Sequence, residues 1–154
     1  MKAIIIAAGS GKRISKDVKD LPKSLLTVNG EPIIAYQIQT LKQVGINNII
    51  VITSTHNEKF EIENVHYIKD HYYNEHDILG SLMEAKDFLK NDVLVLYSDI
   101  IFESKILKQI LDSKGDISIA IDMAWENMYE GRTEHLKSEA ENVQLSKAKK
   151  IIKI

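Results

Sequence analysis

Ala3-Ile4-Ile5-Ile6-Ala7-Ala8-Gly9-Ser10-Gly11-Lys12-Arg13, with Leu21-Pro22-Lys23 further along, is a short apolar run that opens abruptly into small and cationic residues. Ala3 to Ile6 reads as a short buried strand. Beyond it, no side chain among Ala7, Ala8, Gly9, Ser10 and Gly11 is large enough to close the space above the strand's end. Glycine lacks a Cβ, so a ligand can approach the main chain closely. Successive amide groups in such a loop can form a concave nest for an anion. Lys12, Arg13 and Lys23 add full positive charge beside it. The stretch reads as a triphosphate cradle, with Ala7 to Lys12 as the nucleotide-binding loop.

Spacing excludes two other phosphate loops. A P-loop needs Gly, four residues, then Gly-Lys-Ser/Thr, but position 6 is Ile6 and Lys12 is followed by Arg13. The dinucleotide fingerprint needs a third glycine three residues after the second, where Ile14 stands. A receiver-like signalling domain needs paired acids after its first strand, and Ala7-Ala8-Gly9 offers none. Residues 12 to 23 carry five cations against two acids. Such a run can be a solvated loop, but its place just after the glycines favours an anion site.

The 154 residues suffice for one domain with a substantial core. A composition of 44% hydrophobic and 27% charged residues is ordinary for a globular protein. The net charge of -2 argues against a general nucleic-acid binder, which would be basic. With no cysteine, a disulfide framework and a Cys metal site are excluded. The run Ala3 to Ala8 is too short for a signal-peptide core or a membrane span, so a cytoplasmic protein without membrane contact is expected.

Glu31-Pro32 opens a helix with Ile34, Ile38 and Leu41 on one face and Gly45 as its stop. Asn48 to Ile52 reads as a buried strand, completing a right-handed βαβ unit. Residues 54 to 63 are expected as loop or short helix, and Val65 to Ile68 as a short strand. A loop rich in rings and polar groups, Asp70 to Asp77, precedes a helix with Ile78, Leu82, Ala85 and Leu89 on one face and Asp77 as N-cap. Val93 to Tyr97 is expected as a central parallel strand. Ile106, Leu107, Ile110 and Leu111 mark another helix. Ile117 to Ile121 is expected as a further strand ending in Asp122. Asn142 to Leu145 and Lys150 to Ile154 suggest a hairpin.

Ala7-Ala8-Gly9-Ser10-Gly11-Lys12-Arg13 with Pro22-Lys23-Ser24-Leu25 resembles the signature of the nucleotidyltransferases that activate phosphorylated small molecules. These include the sugar-phosphate nucleotidylyltransferases and the phosphocholine-type cytidylyltransferases. The resemblance implies a Rossmann-like three-layer α/β/α fold with a mainly parallel central sheet, and Arg13 and Lys23 as catalytic cations. Leu79-Gly80-Ser81 looks like the family's Leu-Gly-Thr/Ser motif facing the nucleotide base. Gly80 and Ser81, with Asp77 before them, are therefore expected at the nucleotide; a frayed helix start is the alternative. Asp99 follows Val93 to Tyr97 where the family carries a metal-binding Asp, with Ser98 in place of the usual Gly. That implies Mg²⁺ at Asp99; a turn or cap residue is the alternative.

The later part matches more loosely. Asp122 with Trp125, then Glu139-Ala140-Glu141 and a Lys-rich strand, looks like the cytidylyltransferase branch acting on phosphocholine or aminoalkylphosphonates. Tyr73 and Trp125 would hold a cationic head by their faces, and Asp122, Glu139 and Glu141 by charge. The alternative for each ring is ordinary packing. The partners implied are a nucleoside triphosphate, CTP first, and a phosphorylated acceptor. A sugar-1-phosphate acceptor and a truncated, catalytically inactive nucleotide-binding domain remain the other readings. Residues 1–154 are expected to be a single nucleotidyltransferase-like domain, the front part of a longer family domain whose sheet is completed further on.

Overall fold

The computed structural model describes residues 1–9, 21–54, 57–133 and 136–153. The chain divides into two compact units, Met1–Asp116 and Ile117–Ile154.

The first unit is built on a parallel sheet of four strands among the described residues: β1 (Lys2–Ala7), β4 (Ile49–Thr53), β5 (His66–Lys69) and β6 (Val93–Tyr97), in the order β5-β4-β1-β6. The register pairs Ala3 with Ile49, Lys2 with Val93, and Ile50 with His66. Every residue of β4 is buried, as expected of a continuous apolar run covered on both faces. One face packs Ala3, Ile5 and Ala7 against Ile34, Ile38 and Leu41 of α1 (Ile33–Gln43) and Leu107 of α3 (Ser104–Leu111). The opposite face packs Ile4, Ile50 and Ile52 against Ala85 and against Leu82 of α2 (Ile78–Met83). The alternation of strand side chains thus produces three α/β/α layers.

α1 starts on Pro32, whose φ of -59° is already helical. It ends on Gly45 at φ +85°, where Gly45 N–H donates to Lys42 O and Ile46 N–H to Leu41 O, each at 3.0 Å. This is a Schellman closure, with Ile46 buried behind it. Before α1, β2 (Thr27–Val28) and β3 (Glu31–Pro32) form a small antiparallel hairpin around Asn29-Gly30, both at positive φ. Asn-Gly is the usual signal for such a turn and could have been read from sequence.

Three expectations are corrected. The helix expected to run from Asp77 towards Leu89 ends at Met83. The chain then tightens into three-residue bonds, Ala85 N–H to Leu82 O at 3.0 Å and Phe88 N–H to Ala85 O at 2.9 Å, through a short 3₁₀ turn at Lys86–Phe88. That tightening turns Leu82, Ala85, Phe88 and Leu89 together onto the sheet. Next, β6 stands at an edge among the described strands rather than at the centre: Leu94 and Leu96 are buried, but Val95 and Tyr97 are 43% and 47% exposed. An apolar run signals burial, not rank within a sheet. Finally, Ile117 to Ile121 forms no strand, and Ile117 and Ile119 are exposed. A strand exists only with a partner, and none of the described strands pairs with this segment.

The second unit holds short 3₁₀ turns at Trp125–Tyr129 and Lys137–Glu139 and an antiparallel hairpin, β7 (Gln144–Leu145) with β8 (Ile151–Lys153). The hairpin lies where the sequence places it. No helix among the described residues is long and apolar enough to cross a membrane.

Candidate functional site

Because β1, β4, β5 and β6 all run parallel, their carboxyl ends share one edge of the sheet, where open α/β sheets bind ligands. Ala8 and Gly9 leave β1 there, Asp70 leaves β5, and Ser98-Asp99 leaves β6. The Ala7 and Ala8 side chains are buried on opposite faces, so they present main chain only. Gly9 is exposed, and a Cβ built on it would meet nothing within 4 Å among the described residues. Ser10, Gly11, Lys12 and Arg13 lie outside the described residues.

Pro22 is buried and seats the 3₁₀ turn Lys23–Leu25. Lys23 Nζ lies 4.0 Å from Asp99 Oδ2, with the two side chains 33% and 48% exposed. Two residues 76 positions apart, singled out separately in the sequence, therefore meet at this edge. An exposed pair of this kind contributes only about 0–1 kcal/mol to stability.

Gln37 was missed. It is buried on α1 in the stripe of Ile34, Ile38 and Leu41, and its Nε2 donates to Tyr97 O and Ile100 O, both at 2.7 Å. Those carbonyls bracket Ser98-Asp99, so Gln37 holds the turn that presents Asp99. An uncharged polar residue inside an otherwise apolar helical face was the available signal.

Around the Leu79-Gly80-Ser81 motif the structure gives Gly80 and Ser81 partners within the chain. Asp77 caps α2, its Oδ1 accepting from Gly80 N–H at 3.1 Å. A Cβ at Gly80 would stand 2.6 Å from His76 Cβ and 2.7 Å from His76 Nδ1. The glycine is thus required by the chain's own imidazole. The Ser81 hydroxyl is buried and donates to Asp70 Oδ2 at 2.7 Å.

Asp70 is fully buried, yet it also accepts from Tyr72 N–H at 2.9 Å and from the His76 ring at 2.8 Å. Burial pushes its pKa up, but the donors Ser81, His76 and Tyr72 and the charge attraction of His76 outweigh it and hold the carboxyl below its usual range. Ionised Asp70 therefore stabilises the fold at neutral pH. That contribution is fully present above the ordinary value of about 3.9 and is lost as pH falls through the lowered one. Thermal melts of the wild type and Asp70→Asn should differ at neutral pH. The gap should narrow below about pH 4; a gap that widens on acidification would contradict an ionised, donor-rich Asp70.

Among the described residues no group of three or more His, Asp or Glu side chains could hold a metal. A lone carboxylate such as Asp99 still fits Mg²⁺, which binds through one or two carboxylates plus substrate phosphates and keeps its waters.

The residues expected at the acceptor fall in different units. Tyr73, in the first, packs half-buried against the sheet face of Ile4, Ile50 and Ile52. In the second, Asp122 Oδ1 accepts from Ala124 N–H at 2.8 Å. Trp125 and Tyr129 meet edge to face at 5.5 Å. Lys137 Nζ lies 5.5 Å from the Trp125 centroid, and the Arg132 guanidinium lies 4.5 Å from that of Tyr129. These rings already carry the chain's own cations. Glu139 and Glu141 are exposed.

Residues 3–136 match the model of the MobA-like NTP transferase domain. A CTP:phosphoglutamine cytidylyltransferase of Campylobacter jejuni is 29% identical over 95% of this chain and 62% of its own length. A D-glycero-alpha-D-manno-heptose 1-phosphate guanylyltransferase of the same organism is 31% identical over 70% of this chain and 52% of its own. The solved structure of CTP:phosphocholine cytidylyltransferase from Streptococcus pneumoniae superposes with a TM-score of 0.60, at 35% identity, covering 68% of this chain and 49% of that one. The chain spans roughly half to three-fifths of the length of these relatives. With its parallel sheet and a family match over residues 3–136, the chain belongs to the MobA-like NTP transferase domain family.

Proposed function

We propose that this domain transfers a cytidylyl group from CTP to a phosphorylated small molecule and releases pyrophosphate. The observation that carries the reading is the meeting of Lys23 and Asp99, 4.0 Å apart, at the carboxyl edge of the sheet onto which Gly9 also leaves β1. An acceptor phosphate oxygen attacks the α-phosphorus, the bond to the bridging oxygen of the β-phosphate breaks, and pyrophosphate leaves with that electron pair. No protein nucleophile is needed; positioning and charge carry the rate. The loop from Ala7 to Lys12 holds the triphosphate by its amides, and Lys23 and Arg13 offset the charge that develops. Asp99 is the residue that would hold Mg²⁺, which when bound withdraws charge from phosphate oxygens. Main chain at Gly80 and Ser81, set by the Asp77 cap, faces the base.

CTP is favoured because relatives covering most of this chain are named for cytidylyl transfer. The acceptor carries an ammonium or amino head, for which Asp122, Trp125, Glu139 and Glu141 are the candidate holders within the second unit. Two other readings keep the same loop: a sugar-1-phosphate acceptor, favoured by the heptose-phosphate relative, and nucleotide binding without turnover. A cytoplasmic location fits small, phosphorylated substrates. The test is pyrophosphate release with each of four nucleoside triphosphates against phosphocholine, aminoethylphosphonate and several sugar phosphates, with Mg²⁺. Release with CTP and an amino-bearing acceptor is expected. Release only with a sugar-1-phosphate would overturn the acceptor, and no release with measurable CTP binding would leave a binding domain.

A further inference from the structure

Resting on that reading of the nucleotide site, we propose that Asp70 is a positioning residue for base recognition, fixing the loop from Tyr72 to Ser81 through its buried carboxylate. A fully buried ionised carboxylate is costly unless it is surrounded by donors. Here the donors come from three points of one short stretch, two in the loop and one in α2: the Tyr72 amide, the His76 imidazole and the Ser81 hydroxyl. The carboxylate closes that loop into a ring around itself. Its own amide donates to Thr53 O at 2.8 Å, which ties the ring to the carboxyl end of β4.

The residue types invite comparison with a hydrolytic Ser-His-Asp triad, and the connectivity rules that out. In a triad the serine hydroxyl is bonded to the imidazole, which the aspartate orients from the far side. Ser81 Oγ instead donates to Asp70 at 2.7 Å and stands 3.5 Å from His76 Nε2. Both groups converge on the same oxygen, Asp70 Oδ2. Ser81 is also only 5% exposed, so its hydroxyl reaches no substrate. Because an ionised carboxylate only accepts, His76 must carry a proton on Nε2. The ring is then fixed in orientation, and its edge fills the space that a Cβ at Gly80 would need. One buried charge therefore sets the ring, the ring sets Gly80, and the hydroxyl sets Ser81. The main chain proposed to read the base is held to one conformation before any ligand arrives, and preorganisation of this kind is what selectivity between similar bases requires.

The experiment compares the wild type, Asp70→Asn and Ser81→Ala by calorimetric titration with CTP and with UTP, each with Mg²⁺, alongside thermal melts. Asp70→Asn keeps the shape and removes the charge; Ser81→Ala removes one donor and tests the same ring should the first variant fail to fold. CTP affinity is expected to fall on the order of 10–100-fold in Asp70→Asn. The ratio of CTP to UTP affinity should fall with it in both variants. A merely structural role would lower the melting temperature and leave that ratio unchanged in the folded fraction. An unchanged ratio in folded Asp70→Asn or Ser81→Ala overturns the positioning role alone. A wild type that binds neither nucleotide overturns the proposed function, and the positioning role with it.

Discussion

Lys23→Ala is expected to lower pyrophosphate release by about 10²–10³-fold while leaving the melting temperature nearly unchanged. The two halves of that expectation rest on different physics. The Lys23–Asp99 pair is long, at 4.0 Å, and substantially exposed, so solvent screens it and its removal costs the fold little. In the proposed reaction the same ammonium would face charge that exists only while pyrophosphate departs, in a site partly closed to water by the substrates themselves. There a fixed cation is worth far more than in the empty protein. Asp99→Asn should produce a loss of similar size, again with little change in stability. Steady-state pyrophosphate release and a thermal melt on the same preparations check both. Near-normal rates in either variant would remove that residue from the mechanism; a large drop in melting temperature would make its role structural.

Gly80→Ala is expected to destabilise the protein by about 2–4 kcal/mol, although alanine is the better helix former. The helix propensity gained is about 1 kcal/mol. Against it stands a methyl group placed within 2.6–2.7 Å of the base of the His76 side chain, close to the backbone, where no flexible end can swing aside. Overpacking of this kind costs about 1–3 kcal/mol. Moving the ring also breaks its bond to buried Asp70, a charge-assisted contact worth about 1.5–3 kcal/mol. Chemical denaturation measures the sum. In His76→Gly, which also removes the Cβ at position 76, the methyl has room, so adding Gly80→Ala to that variant should cost little. This non-additivity separates a steric clash from a requirement for glycine's backbone freedom. If Gly80→Ala alone were as stable as the wild type, the ring could not occupy the position described.

Gly80 also shows where sequence reasoning stops. A glycine in the first turn of a helix does indicate a close approach to the main chain, but sequence cannot say whose. The approaching group is His76, four residues earlier, and the contact depends on a carboxylate at Asp70 whose burial no local pattern reveals. Asp70 follows an exposed lysine and precedes an exposed histidine, so it reads as an ordinary loop acid. Gln37 differs only in degree: its place in an apolar helical stripe was legible, whereas its targets lie 60 and 63 residues away.

By itself the sequence determined the strand-loop-helix-strand opening and the place of the glycine loop, because hydrophobic periodicity, Gly and Pro act over a few residues and need no distant partner; the three-layer class was implied by the family resemblance. The family resemblance also singled out Lys23 and Asp99, each for its own role. Only the tertiary structure decided that they meet, that Val93–Tyr97 lies at an edge with no partner for Ile117 to Ile121 among the described strands, and that Asp70 is buried as a charge. Those outcomes depend on which surfaces face one another once the sheet is assembled, and contacts across tens of residues leave no periodic mark in the chain.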